Sequence, residues 1–267
     1  MHKKFEDHLR KKNLANNTIR SYSTAVERYH SFYDTVNKTN LLNFKEHCVT
    51  HYKPASANIQ IFGLNQYLEY VGREDLKLKS VKVQQKRYLE NVISNEDYQN
   101  LKKRMKKDGR MKWYFMVWFM AATGARISEL LQIKVEHVHA GHIDLCTKGG
   151  KIRRIYIPKT LVAAALEWLE SQQIESGFIF RNRWGRLISR EGIYQSLQKY
   201  AKEYGIDPKV VYPHSFRHRF AKNFLEKYND IALLADLMGH ENIETTRIYL
   251  RMTAGEQYSI VNKVVTW

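Results

Sequence analysis

One pair of strand-like segments stands in a chain whose other apolar residues mostly recur at helical spacing, and that contrast limits the possible folds more than any other feature. Residues 142–146 and 152–157 read as strands, and Lys148-Gly149-Gly150-Lys151 between them suits a tight hairpin because glycine accepts positive φ. A lone hairpin cannot wrap a core, so helices must. The expected fold class is mainly α with a small antiparallel β-sheet, divided into a helical domain and a mixed α+β domain. A length of 267 residues suffices for two compact cores.

Residues 3–76 read as a small helical bundle. Asn17 precedes a run in which Ile19, Tyr22, Val26 and Tyr29 share one stripe, and after Pro54 the residues Ile59, Ile61, Phe62, Leu64, Tyr67, Leu68 and Tyr70 recur in the same way. Between Asp75 and Arg87 the periodicity fades into a basic stretch without a plain apolar face, which reads as a linker. From Tyr88 a larger domain begins. Helices are expected over 95–107 and 111–122, another after Thr123-Gly124, and more from Pro158 to the end, interrupted by a short strand or loop over 178–184. The divisions are a helical domain over 1–80, a basic linker over 81–90 and the larger domain over 91–267, with no internal repeat or low-complexity segment.

Lysine and arginine number 44 against 27 acidic residues, a formal charge of +17. Such an excess attracts a polyanion, because each neutralised phosphate releases condensed counterions. The basic residues, with clusters at Lys102-Lys103-Arg104 and Lys106-Lys107, are spread through folded-looking sequence, which points to a charged working surface. Cys48 and Cys146 form no disulfide framework, and neither they nor the 11 histidines show zinc-ligand spacing. No metal and no cofactor is expected. The first residues lack the apolar stretch of a signal peptide, and the longest apolar run, 113–122, is too short to span a bilayer. The expectation is a cytoplasmic, nucleoid-associated protein with no membrane partner.

Three segments carry chemistry. In Thr123-Gly124-Ala125-Arg126-Ile127-Ser128-Glu129 an arginine follows a glycine break at a helix start, where amide groups and a guanidinium fork can both hold phosphate. Alone, such an arginine is an ordinary solvated helix residue. In Pro213-His214-Ser215-Phe216-Arg217-His218-Arg219-Phe220, spacings of three and four put His214, Arg217 and His218 side by side, while Phe216, Phe220 and Phe224 can face the core. In Gly239-His240 followed by Thr245-Thr246-Arg247-Ile248-Tyr249, an unbroken helix would hold His240 and Tyr249 about 13.5 Å apart. Gly239 is a natural helix stop, so a new helix near Glu244 should bring Tyr249 back. The same stretch could be a plain helix-turn-helix.

Taken together the segments resemble the tyrosine recombinase (phage integrase) family. That family carries Thr-Gly-x-Arg-x-Ser-Glu, a hairpin lysine, His-x-x-Arg-His, then Gly-His and a nucleophilic tyrosine nine residues on. The matching positions are Arg126, Lys148, His214, Arg217, His240 and Tyr249; of the two hairpin lysines, Lys148 fits the pattern better than Lys151. Asn17-Thr18-Ile19-Arg20-Ser21-Tyr22 resembles the family's SAM-like core-binding domain, which implies DNA contacts by Thr18 and Arg20, with Lys86, Arg87 and Lys151 as further DNA-binding candidates. No segment precedes residue 3 to serve as an arm-binding domain, so a two-domain enzyme acting at a simple site is expected.

The resemblance implies site-specific strand exchange on double-stranded DNA through a 3′-phosphotyrosine, without metal or ATP, in a tetramer. Tyr249 attacks, His214 is the candidate base, Arg126 and Arg217 clamp the phosphate, His240 donates to it and Lys148 protonates the 5′ oxygen. After Tyr249, the apolar stripe of Ile260, Val261, Val264 and Val265, with Trp267, suggests a tail that docks into a neighbouring protomer. Packing on its own domain is the plainer reading of that stripe. Two rivals remain, a non-catalytic DNA-binding regulator and a tyrosine-type topoisomerase.

Overall fold

Helix α1 (His2–Lys11), α2 (Asn16–His30), α3 (Lys38–His51) and α4 (Pro54–Tyr70) build the first part of the chain in the computed structural model, which describes residues 2–83, 91–146, 152–240, 242–250 and 254–265. Contacts divide the chain into two units, Met1–Gln85 and Lys86–Trp267. In the first, Phe5, Leu9, Ile19, Val26, Tyr29, Leu41, Phe44, Leu64 and Leu68 form a buried core. Helices α2 and α4 pack most closely, because Gly63 has no side chain where a Cβ would lie 2.8 Å from that of Ala25. The α4 stripe is narrower than its sequence suggests: Ile61, Leu64, Tyr67 and Leu68 are buried, whereas Ile59 and Phe62 are exposed.

The stretch after α4 departs from the expected linker. Leu76 and Leu78 are buried in the bundle core, and two asparagines on α4 grip the backbone beside them. Asn58 donates to the carbonyl of Val81 at 2.9 Å and accepts its N–H at 2.7 Å; Asn65 does the same for Leu78 at 2.9 and 2.8 Å. Each side-chain amide thus takes the place of a paired strand. Two leucines among lysines carry no periodic signal, and nothing in the sequence marks an asparagine as a backbone clamp.

The second unit is built around α6 (Met111–Thr123), whose Phe115, Met116, Val117, Phe119 and Met120 are all buried. Packed on it are α5 (Asn95–Lys107), α9 (Lys159–Ser171) and α11 (Pro213–Lys227), and the Phe115 ring stacks on Trp168 at 4.5 Å. Gly124 ends α6 with φ of +61°, close under the ring of Phe220. The helix expected next is a single turn, α7 (Ile127–Leu130), because the chain bends to pair Lys134 with Phe178 as an isolated bridge. After α8 (Val135–Ala140), β1 (His142–Cys146) and β2 (Ile152–Tyr156) pair antiparallel, with Ile143 opposite Ile155 on the buried side.

Residues 178–187 form a turn closed by an Arg181–Leu187 bridge, followed by α10 (Arg190–Glu203). The chain ends with α12 (Ile231–Met238), α13 (Glu244–Arg247) and α14 (Ala254–Val264). Residues 148–151, expected as a tight turn, and the linker candidates Lys86 and Arg87 lie outside the described residues, as do Trp267 and the side chain of Ile260.

The asparagine clamps generate a prediction. Replacing Asn58 and Asn65 together by Ala leaves the amides and carbonyls of Leu78 and Val81 without partners, at a cost of about 1–3 kcal/mol per site. Trypsin should then cut after Lys79 and Lys82 several-fold faster than in the parent; an unchanged rate would mean that the clamps do not hold the segment.

Candidate active site

Helix α12 ends at Gly239, whose φ of +61° turns the chain away and leaves the carbonyls of Leu237, Met238 and Gly239 at the helix terminus. These carry the negative end of the helix dipole. Three arginines take one carbonyl each. Arg153 on β2 donates twice to Leu237, at 3.1 and 2.7 Å; Arg217 on α11 donates to Met238 at 2.6 Å; Arg126, ahead of α7, donates to Gly239 at 3.2 Å. Arg217 also reaches the carbonyl of Gly124 at 2.5 Å, so the end of α6 joins the same knot.

Glu129 on α7 is the carboxylate within this cluster. One oxygen accepts from Arg126 at 2.8 Å and Arg153 at 2.6 Å; the other accepts the backbone N–H of Arg126 at 2.7 Å and lies 4.0 Å from Arg217. Burial alone would raise its pKa, but the Arg153 charge and the Arg126 hydrogen bonds outweigh that and hold the carboxyl below its usual range. For Arg217, which is 3% exposed, burial and the charges of Arg126 and Arg153 bring the pKa down to about 10, so it stays protonated at neutral pH. Three guanidiniums against one carboxylate leave surplus positive charge, and Arg126 is the most open of them, with a side chain 37% exposed.

His240 follows the turn. Its Nδ1 lies 2.7 Å from the buried Thr246 hydroxyl and its Nε2 lies 3.0 Å from Arg217 Nη2. Because a guanidinium only donates, Nε2 must accept, which places the ring proton on Nδ1. Burial and the charges of Arg217, Arg126 and Arg153 lower the His240 pKa to about 4, so the ring is neutral.

Tyr249 lies in a 3-10 turn over Ile248–Leu250 and is 6% exposed. Its ring stacks on His240 at 6.3 Å and lies 5.4 Å from His218, above a small apolar cluster of Ala221, Leu225, Leu234 and Met238. Burial raises the phenol pKa, although the Arg217 charge and hydrogen bond and the Arg126 charge pull the other way. His218 is pushed down to about 4 by burial, then by His214 and Arg217, and its Nδ1 is buried without a partner. His214, 6.4 Å from His218, stands exposed at the rim; partial burial and the charges of Arg217 and Arg126 lower its pKa.

The fold therefore gathers Arg126, His214, Arg217, His240 and Tyr249 around one helix end, while Lys148 and Lys151 lie outside the described residues. Thr18 and Arg20 lie in the first unit. Arg20 borders a shallow cavity of about 430 Å³ between α2 and α4, lined also by Arg28, Tyr52 and Ile59. Glu129, Arg153 and Thr246 were missed as site residues. Glu129 could have been found from its position three after Arg126 at a helix start, and Arg153 from strand alternation, since it shares the inward side of β2 with Ile155. Thr246 carries no such signal.

The sequence profile of the phage integrase family matches residues 91–256. Relatives include the tyrosine recombinase XerA of Thermococcus kodakarensis, 29% identical with 98% of this chain and 96% of that protein aligned, and the tyrosine recombinase XerD of Listeria monocytogenes, 27% identical over 90% and 89%. Among solved structures, the XerH site-specific recombinase bound to difH in a pre-cleavage complex superposes with a TM-score of 0.71 at 20% identity, covering 91% of this chain and 79% of that one. The lambda integrase tetramer bound to a Holliday junction gives 0.73 at 13% identity, over 92% and 75%. These two share the fold. Because the matched segment covers well over half of its length, the chain belongs to the phage integrase family, the tyrosine recombinases.

Proposed function

We propose that this protein is a site-specific DNA recombinase that cuts and rejoins strands through a 3′-phosphotyrosine at Tyr249. The observation that carries this reading is a buried phenol held between two neutral histidines, beside three guanidiniums that share one carboxylate. A scissile phosphate fits the surplus charge. Arg126 and Arg217 can donate to its non-bridging oxygens as negative charge builds on them in the transition state.

In the forward step Tyr249 Oη bonds to phosphorus while the bond to O5′ breaks. The phenolic proton passes to a base, for which His214 is our candidate, and Lys148 supplies a proton to O5′. The phosphotyrosine keeps the energy of the broken phosphodiester, so an incoming 5′ hydroxyl reverses the step without ATP. His240 accepts from Arg217 in the DNA-free geometry. A phosphate that takes that guanidinium and offsets the local charge raises the His240 pKa, and the protonated ring can then donate.

The protein acts on double-stranded DNA, with a net charge of +17, and contacts beyond the phosphate fall to Thr18, Arg20, Lys86, Arg87 and Lys151. Assembly into a tetramer on DNA rests on α14, where Tyr258, Val261, Val264 and Val265 are 44–69% exposed instead of packing on their own unit. Cytoplasmic, nucleoid-associated action accords with this substrate, and no helix of the described residues is long and apolar enough to cross a membrane. A regulator that only binds DNA has no use for a buried tyrosine beside three arginines. A relaxing topoisomerase would share the chemistry but not the choice of site, and relatives aligned over nine-tenths of this chain carry recombinase names.

Tyr249→Phe should keep DNA affinity within about twofold and form no covalent adduct on a nicked suicide substrate, since only the attacking oxygen is gone; an adduct would end the assignment. The histidines give a pH signature. His240 and His218 have folded pKa values near 4, below the ordinary 6.5, so the unfolded chain takes up protons first. Their contribution to stability is complete above about pH 6.5 and is lost as pH falls toward about 4. Urea unfolding of His240→Asn should show a shallower fall over that window, by at most about 1.4 kcal/mol per pH unit; an unchanged slope would contradict a neutral His240. Deleting residues 256–267 should leave binding of one protomer to a half-site intact while cooperative filling of the full site drops at least tenfold in gel-shift titration. Unchanged cooperativity by a folded truncation would rule out docking of the tail.

A further inference from the structure

His240 is held at its backbone and at both edges of its ring, each time by a different part of the chain. Its N–H donates to the Ala235 carbonyl at 3.0 Å, a bond of the glycine cap on α12, so its Cα is fixed to that helix end. The ring still has two settings, because a half-turn of the imidazole exchanges nitrogen for carbon at both edges and leaves the outline nearly unchanged. With Nε2 against Arg217 Nη2 at 3.0 Å, the ring offers a nitrogen to the arginine cluster; turned over, it would offer a carbon. Arg217 supports the first setting only until a phosphate draws that guanidinium away. The bond at the far edge survives this step: Nδ1–H donates to the Thr246 hydroxyl at 2.7 Å, whether Nε2 accepts from Arg217 or donates to an anion.

Thr246 is itself fixed. It is fully buried in the single turn α13, which Asn242 opens by accepting the Glu244 N–H at 2.8 Å, and its own N–H donates to the Ile243 carbonyl at 2.8 Å. Tyr249 follows three residues on, close to one helical turn, and its ring stacks on the same imidazole at 6.3 Å with the planes 12° apart. The stretch of chain that carries the phenol therefore also carries the acceptor that orients the histidine. Without that acceptor, Nδ1–H would be left unpaired beside the apolar Tyr249 ring, and turning the ring over would move Nε2 off the arginine side.

We infer that Thr246 is a positioning residue, whose hydroxyl keeps His240 Nε2 directed at the scissile phosphate after Arg217 has turned to it and so ties the aim of His240 to the seating of Tyr249. This rests on the recombinase reading, which assigns His240 to the phosphate and gives Thr246 no part.

Two measurements on the full chain test it. In protein with isotopically labelled histidine, nuclear magnetic resonance should show the Nδ1 proton of His240 protected from exchange with water in the parent and in Thr246→Ser, and in fast exchange in Thr246→Val. A parent without that protected proton, or a valine variant that keeps it, would overturn the proposal. In single-turnover cleavage of a nicked suicide substrate, Thr246→Val should be slower by about 10²-fold, the scale expected of a misdirected group, and Thr246→Ser should recover most of the loss. Because Thr246 acts through His240, the double variant Thr246→Val/His240→Ala should be no slower than His240→Ala alone. A further drop in the double variant, or its failure to fold where His240→Ala folds, would overturn the proposal by giving Thr246 a structural role independent of His240. If Thr246→Val does not fold by itself, the comparison within the His240→Ala background still decides the matter. Absence of any adduct with the parent chain would fault the recombinase reading itself, and the proton-exchange result would remain separable from it.

Discussion

Three arginines converge on the C-terminal end of one short helix, and most of the second unit is arranged to make that arrangement tolerable. Like charges at this separation repel strongly in a medium of low dielectric. The repulsion is offset by three consecutive carbonyls at the negative end of α12 and by the carboxylate of Glu129. Every element that contributes does so by its end or edge: the last carbonyl of α6, the first turn of α7, the inward side of β2, the first turns of α11 and the last of α12. Such a knot holds together elements that are far apart in the chain, and it retains more positive charge than it neutralises. A phosphate is the ligand whose shape and charge match that surplus.

The same surplus sets the protonation of its surroundings. His240 and His218, both partly buried beside the cluster, are kept neutral well below the ordinary imidazole range, while burial keeps the Tyr249 phenol protonated against the pull of Arg217. The cluster is therefore charged, while Tyr249 is shielded from solvent and the two histidines are uncharged. An anion held there would offset part of that positive field, and the groups most sensitive to it are the histidines in contact with Tyr249.

The first unit follows a different logic. Its core is aromatic and aliphatic, assembled by periodic stripes on α1 to α4, and its last segment is held by two asparagine amides in place of a strand. Ile59 and Phe62 are exposed on α4, and the cavity beside Ile59 is bordered by Arg20 and Arg28, with Arg28 over the Tyr52 ring at 5.2 Å. Apolar and cationic groups on one exposed face suit a surface that meets a polyanion.

By itself the sequence determined what depends on neighbours in the chain. Helical spacing marked α5 and α6 to within a residue, the strand-like segments marked β1 and β2, Pro213 marked the start of α11 and Gly239 the end of α12. Arg126, Arg217, His240 and Tyr249 were legible through the resemblance of their motifs to the tyrosine recombinase family, since each motif lies within one short stretch of chain. Only the tertiary structure decided what depends on distant partners. Arg153 reads as one more charge on a strand until Glu129 and Leu237 arrive from elsewhere, and Thr246 as one more helix threonine until His240 turns back onto it. Leu76 and Leu78 read as linker until Asn58 and Asn65 clamp the backbone around them. The difference is physical: periodicity records which side of an element is apolar, whereas hydrogen-bond partners and burial of charge are set by where elements meet, and no single stretch of chain holds that information.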